Sequence, residues 1–273
     1  MFLPNKKDAI HKAWLYRTLT AIAEDNFLVA VLYFKGGTYA AMRNWLDRFS
    51  IDLDFDFMGR KNQVDKTKRH LENIFAELGL KIKDSSKNGI QYFLQYPTNE
   101  QNQRNTLKID TFFPPIKKCN YETVRLVEID KILMGQTRKT MFANKLIALK
   151  ARFDENKNIA GRDLYDIHYF FLQGYDFDEK IIQQYAKQQS KKQSQQKPKK
   201  RSQKDAKNPL KKSRQDFLEE LVRFIQKEIT QKTIDQDINF LLSPKKFQQI
   251  RKTIKPETIM FLKDRISSAV PKS

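Results

Sequence analysis

The sequence is poor in cysteine, histidine, glycine and proline, and it lacks any long apolar run. One cysteine, Cys119, among 273 residues excludes an intrachain disulfide and a cysteine-rich metal cluster. It also fits a reducing compartment, so a cytoplasmic location is expected. The three histidines, His11, His70 and His168, stand far apart with no metal-ligand spacing. Eight glycines and nine prolines are too few for an all-β design with many tight turns. The longest apolar run is Phe27 to Phe34. Spanning a bilayer takes about 20 residues, so a soluble protein with no membrane partner is expected. The opening MFLPNKK has no apolar core and does not read as a secretory signal.

Acidic residues are in deficit. Lys plus Arg is 52 against 32 Asp plus Glu, a net charge of +20. A balance this basic points to an anionic partner, nucleic acid first, with membrane surfaces and acidic proteins behind. What is present suffices for a core. Hydrophobic residues make up 40% and aromatics 12%, in a chain long enough for one large domain or two modest ones.

Periodicity divides the chain. Ile10, Trp14, Leu15, Leu19 and Ile22 recur at helical spacing over 8–24. Phe27 to Phe34 reads as a buried strand, and Tyr39 to Asp47 as a helix. From Ile51 to Phe57 the pattern alternates, with Ile51, Leu53, Phe55 and Phe57 on one face and Asp52, Asp54 and Asp56 on the other. A helix over 66–78 closes at Gly79, and strands are expected over 90–96, 106–113 and 123–129. That makes about five strands, in an α+β or α/β first part. After residue 130 the strand signal stops and helices are expected over 139–152, 163–172, 177–187, 216–230 and 256–267. The expected division is an α/β domain over 1–135 and a helical domain over 136–273. Residues 187–214 carry twelve Lys or Arg, one Asp and one strong apolar residue, Leu210. Such a segment buries too little to offset its ordering entropy and reads as a disordered basic insertion.

The stretch from Leu32 to Phe57 carries the chemistry. A strand ends in Gly36-Gly37-Thr38, a helix follows, and the next strand sets Asp52 and Asp54 on one face. Glycines let backbone N–H groups approach an anion, and Thr38 adds a hydroxyl. Carboxylates at i and i+2 of a strand point the same way, close enough to share a hard cation such as Mg²⁺. Each feature alone has a plain alternative, a turn or the wet face of an edge strand. Together they are harder to dismiss: like charges on one strand face repel, and Asp is disfavoured in strands.

Gly36-Gly37-Thr38, followed fourteen residues later by Asp52-Leu53-Asp54-Phe55, resembles the signature of the DNA polymerase β-like nucleotidyltransferase superfamily. The fuller string, Lys35-Gly-Gly-Thr with Arg48-Phe-Ser50-Ile-Asp52-Leu-Asp54-Phe, is similar to the AbiEii/AbiGii toxin family of nucleotidyltransferases. Lys145-Leu-Ile-Ala-Leu-Lys-Ala-Arg152 and Arg162-Asp163-Leu-Tyr-Asp166 resemble two further motifs of that family.

The resemblance implies an α+β nucleotidyltransferase fold: a mixed sheet with flanking helices, then a helical C-terminal part. It implies transfer of a nucleoside monophosphate from an NTP, with Mg²⁺ or Mn²⁺ as cofactor. Gly36, Gly37, Thr38, Arg48 and Ser50 would belong to the nucleotide site, and Asp52 and Asp54 would bind the metal. Asp110 would be a third carboxylate that activates the acceptor; its alternative is a solvated strand Asp. Lys145 matches the family's essential lysine, or is the polar edge of an amphipathic helix. Asp163 matches the late aspartate, or caps its helix. Asp56 is expected to face solvent, and His168 to pack. The acceptor implied is RNA, such as a tRNA end, in the toxin half of a bacterial toxin–antitoxin or phage-defence pair, with a possible cognate antitoxin. Two other readings stay open: a small-molecule, antibiotic-type nucleotidyltransferase, and a non-catalytic RNA-binding protein on the same fold.

Overall fold

The computed structural model describes residues 3, 5–6, 8–98, 104–116, 118–196 and 213–268, with backbone only over 191–196. The chain forms two compact units, Met1–Met141 with Phe240–Pro244, and Phe142–Asn239 with Lys245–Ser273.

The first unit is built on a mixed seven-stranded sheet in the order β3-β4-β5-β2-β1-β7-β6. The strands are β1 (Leu32–Lys35), β2 (Asp52–Phe57), β3 (Lys81–Ser85), β4 (Gln91–Gln95), β5 (Thr106–Phe112), β6 (Tyr121–Leu126) and β7 (Lys131–Gln136). At the centre β2 runs antiparallel to β1 and parallel to β5. One face of this centre is core: Phe34, Leu53, Phe55, Phe57, Leu107 and Ile109 are buried, and Phe34 and Phe55 pack ring to ring at 5.1 Å. The helices α1 (Asp8–Glu24) and α4 (Val64–Glu77) supply further core residues, among them Leu15, Leu19, Leu71 and Phe75.

The sheet has seven strands where the sequence pattern indicates about five. β3 reads KIKDS and is exposed along its whole length, so it has no buried face to leave a period-two signal. β7 reads KILMGQ, where consecutive apolar residues blur the alternation. The span 27–34 differs as well. Residues Asn26–Val31 form a short helix, α2, and only Leu32–Lys35 is strand. Asp25 decides this: its carboxylate accepts from the Phe27 and Leu28 backbone N–H groups at 2.9 and 2.8 Å, a strong N-cap. Gly36–Met42 is the helix α3.

His11 ties α1 to the start of β2. Its Nε2 lies 2.9 Å from the carbonyl oxygen of Ile51, and its Nδ1 lies 2.9 Å from the Tyr96 hydroxyl. Burial pushes the imidazole down to about 4, against a partial upward pull from the Ile51 hydrogen bond, so it is neutral at working pH.

The second unit is helical among its described residues: most of α5 (Arg138–Asn156), then α6 (Gly161–Leu172), α7 (Glu179–Gln196), α8 (Arg214–Glu228), α9 (Gln231–Ile238), α10 (Pro244–Ile250) and α11 (Ile254–Ser267). Phe142 is its aromatic hub, with Phe170, Phe171 and Phe177 edge-on at 5.0, 4.8 and 5.6 Å. His168 is buried here with Nε2 2.6 Å from Glu257 Oε2.

The span 187–214, read from the sequence as a disordered insertion, is helical at its start and holds a helix cap at its end. Helix α7 continues through Gln196, carried by straight-chain Lys and Gln residues of good helix propensity. Ser213 is already the N-cap of α8, in a capping box with Asp216. Residues 197–212, the rest of that reading, lie outside the described residues.

Candidate active site

The site face is the half-open side of β1, β2 and β5. In register, Asp54 sits opposite Asp110 on β5 and Lys35 on β1, while Asp52 sits opposite Lys108. Directly paired residues share a face, so Asp52, Asp54, Asp110, Lys35 and Lys108 project to the same side. This is the cooperative product of three strands. The alternation that buries Leu53 and Phe55 leaves no other side for the acids.

The glycine turn is fitted against this face. Gly36 has φ +80°, a conformation L side chains rarely adopt, and a Cβ there would overlap the Asp54 carboxylate. Gly37 is equally confined, because a Cβ would lie 2.8 Å from both Arg48 Nη2 and Ser50 Oγ. Backbone and carboxylate therefore approach as closely as glycine allows.

Arg48, Ser50 and Thr38 are buried beneath the turn. Arg48 Nη1 donates to the Phe49 carbonyl at 2.8 Å. Thr38 Oγ1 donates to the Asp52 carbonyl at 2.5 Å and lies 3.0 Å from Ser50 Oγ. Thr38 thus braces the strand that carries the acids. Asp110 Oδ2 accepts from Lys108 Nζ at 2.5 Å, which leaves Oδ1 as the oxygen outside that ion pair.

Asp56 corrects the sequence reading. It is buried, not solvent-facing. Its Oδ1 accepts from Lys35 Nζ at 2.6 Å, and its Oδ2 accepts from Tyr121 at 2.9 Å and Gln136 at 2.6 Å. Those last two come from β6 and β7, far along the chain, so no local pattern could have announced them. Burial, with Asp56 second, holds the Tyr121 phenol well above its ordinary range, and it remains a donor.

Lys145 and Asp163 meet in the second unit. Lys145 Nζ lies 2.9 Å from Asp163 Oδ1 and 2.9 Å from Asp166 Oδ2, and both carboxylates are fully buried. Arg152 Nη1 lies 3.0 Å from Asp163 Oδ2 and offers it charge, with no aligned hydrogen bond reaching that oxygen. Burial alone would raise the Asp163 carboxyl. Lys145 and Arg152 more than offset it and hold the group well below the usual carboxylate range. Asp163 lies in the first turn of α6, whose N-cap is Ala160, so its side chain is not the cap.

Residues 17–253 match the family of nucleotidyl transferase AbiEii toxins of type IV toxin–antitoxin systems. The chain belongs to that family. The AbiEii assignment makes it a member of a nucleotidyltransferase family, and of a system class that includes a cognate antitoxin. Solved structures agree at the level of fold. JHP933 from Helicobacter pylori is 17% identical with a TM-score of 0.54, covering 98% of this chain and 94% of that one. A candidate nucleotidyltransferase from H. pylori is 16% identical with a TM-score of 0.54, covering 97% and 96%. No curated protein matches the chain. Among the described residues no helix is long and apolar enough to cross a membrane.

Proposed function

We propose that this AbiEii-family chain transfers a nucleoside monophosphate from an NTP to an RNA acceptor, such as a tRNA end, in a Mg²⁺-dependent reaction. The observation that carries this is the face where Asp52, Asp54 and Asp110 project together beside the Gly36-Gly37 turn.

The donor set fits Mg²⁺. That ion takes one or two protein carboxylates and fills its shell from substrate phosphates and water. Asp52 and Asp54 supply two hard oxygen ligands. Asp110, paired with Asp54 on the neighbouring strand, is read as the acid–base group. Bound Mg²⁺ (or Mn²⁺) would neutralise triphosphate charge as pyrophosphate departs.

The chain's own residues do the rest. Gly36 and Gly37 let the turn lie against Asp54 and over Arg48 and Ser50, which keeps its backbone beside the acids where the triphosphate would be held. Thr38, Ser50 and Arg48 hold that turn and strand in place from below. Asp110 Oδ1 takes the proton of the acceptor hydroxyl, whose oxygen attacks the α-phosphorus as the bond to the β-phosphate breaks. Positioning and charge neutralisation then account for most of the acceleration. Lys145 and Asp163 enter this reading through the buried ionic cluster that orders α5 against α6.

The net charge of +20 supports an RNA acceptor, because phosphate contacts dominate RNA affinity. Pyrophosphate release from each NTP tests the reading, with total bacterial RNA and, separately, a hydroxyl-bearing small-molecule fraction as acceptor. RNA-dependent release is expected. Release with the small-molecule fraction alone would move the acceptor class to antibiotic-type substrates.

A further inference from the structure

We propose that the ring of Phe112 is a stacking platform for a nucleobase, set one register step beyond the acid pair. The proposal rests on the transfer reading above. On β5 the residues Lys108, Asp110 and Phe112 alternate onto the half-open face, and Phe112 sits opposite Asp56 as Asp110 sits opposite Asp54. Phe112 is 49% exposed, whereas Phe34, Phe55 and Phe57 of the neighbouring strands are at most 1% exposed. The next residue, Phe113, is 46% exposed as well and packs edge-on against buried Phe57 at 5.4 Å.

The ring is also held. Lys35 Nζ sits 4.7 Å from its centre while bonded to Asp56 Oδ1 at 2.6 Å. Asp56 is fixed in turn by Tyr121 and Gln136. A buried anchor therefore orients a cation, and the cation sits over a half-exposed ring. A phenyl group kept in water beside carboxylates gains from an occupant with a flat π-face and polar edges. A nucleobase has both, and base–aromatic stacking tolerates any of the four bases. The base belongs either to the incoming NTP or to the end of the acceptor strand, and these share one chemistry.

The test is equilibrium binding to the full chain with Mg²⁺ present, using each NTP, inorganic triphosphate and single-stranded RNA, for wild type, Phe112→Leu and Phe112→Trp. Phe112→Leu is expected to weaken binding of the base-bearing ligand by about 5- to 100-fold. Inorganic triphosphate should bind unchanged, and Phe112→Trp should restore affinity. A loss confined to NTPs assigns the base to the incoming nucleotide, and a loss confined to RNA assigns it to the acceptor. If NTPs and RNA both bind Phe112→Leu as they bind wild type, or if triphosphate without a base weakens equally, the platform is overturned. Should Phe112→Leu fail to unfold cooperatively, Phe112→Trp decides alone: its added fluorescence must change with NTP or RNA and not with triphosphate. Base-dependent binding without label transfer in any protein would overturn the transfer reading and leave the platform standing.

Discussion

Replacing Lys145 by Met should destabilise the second unit by about 3–5 kcal/mol. The magnitude follows from what the ammonium holds. Its Nζ is 2.9 Å from each of two carboxylates, Asp163 and Asp166, that solvent does not reach. Removing it leaves both oxyanions desolvated and stripped of the cation they share. Breaking such a pair costs far more than an exposed ion pair, whose value is about 0–1 kcal/mol. Urea denaturation at pH 7 is the assay, read by circular dichroism on the full chain. Lys145→Arg keeps the charge and should recover part of the loss. Lys145→Met with Asp166→Asn removes one of the two buried charges and should be more stable than Lys145→Met alone. The loss should persist in 1 M salt, because buried pairs are weakly screened. If Lys145→Met unfolds within about 1 kcal/mol of wild type yet abolishes transfer, the cluster argument is wrong, and the lysine acts on substrate instead.

Three further outcomes are expected. His11 titrates near 4, below its ordinary 6.5, so its contribution is complete above pH 6.5 and is lost as pH falls from 6.5 toward 4; about 3 kcal/mol should disappear across that window, and His11→Gln should lack that slope. A wild-type and His11→Gln pair with parallel stability profiles would refute this. Gly36→Ala should cost about 1–3 kcal/mol and displace Asp54, so transfer should collapse in a protein that still folds; full activity in that variant would refute the close approach. Deleting 197–212 removes eight Lys or Arg and one Asp, and should weaken RNA binding at low salt and flatten its salt dependence; unchanged slopes would place the RNA elsewhere.

Much of the first unit was legible because burial is one-sided there. Leu53 and Phe55 face the core, so Asp52 and Asp54 must share the opposite face, and alternation alone says so. The same logic failed at Asp56, whose partners Tyr121 and Gln136 stand on strands that β1 brings alongside. A local pattern cannot reveal a partner supplied by topology. Strand β3 leaves no sequence signal because it is a wholly exposed edge, and α2 is hidden because an apolar run of eight residues fits a buried strand and a short helix equally well. Asp25 was the available signal, as an Asx residue placed immediately before that run. Lys145 and Asp163 stood out by family motif, but their pairing depends on α5 meeting α6, which sequence spacing does not show.

Nucleotidyl transfer to RNA is proposed to take place on the Asp52–Asp54 face. The most direct measurement incubates the protein with total bacterial RNA, Mg²⁺ and each α-³²P-labelled NTP, beside Asp52→Ala/Asp54→Ala. Label entering RNA with wild type and absent with the variant, at equal folded fraction, is the predicted result. Equal labelling by both proteins, or none by either with RNA still bound, would contradict it.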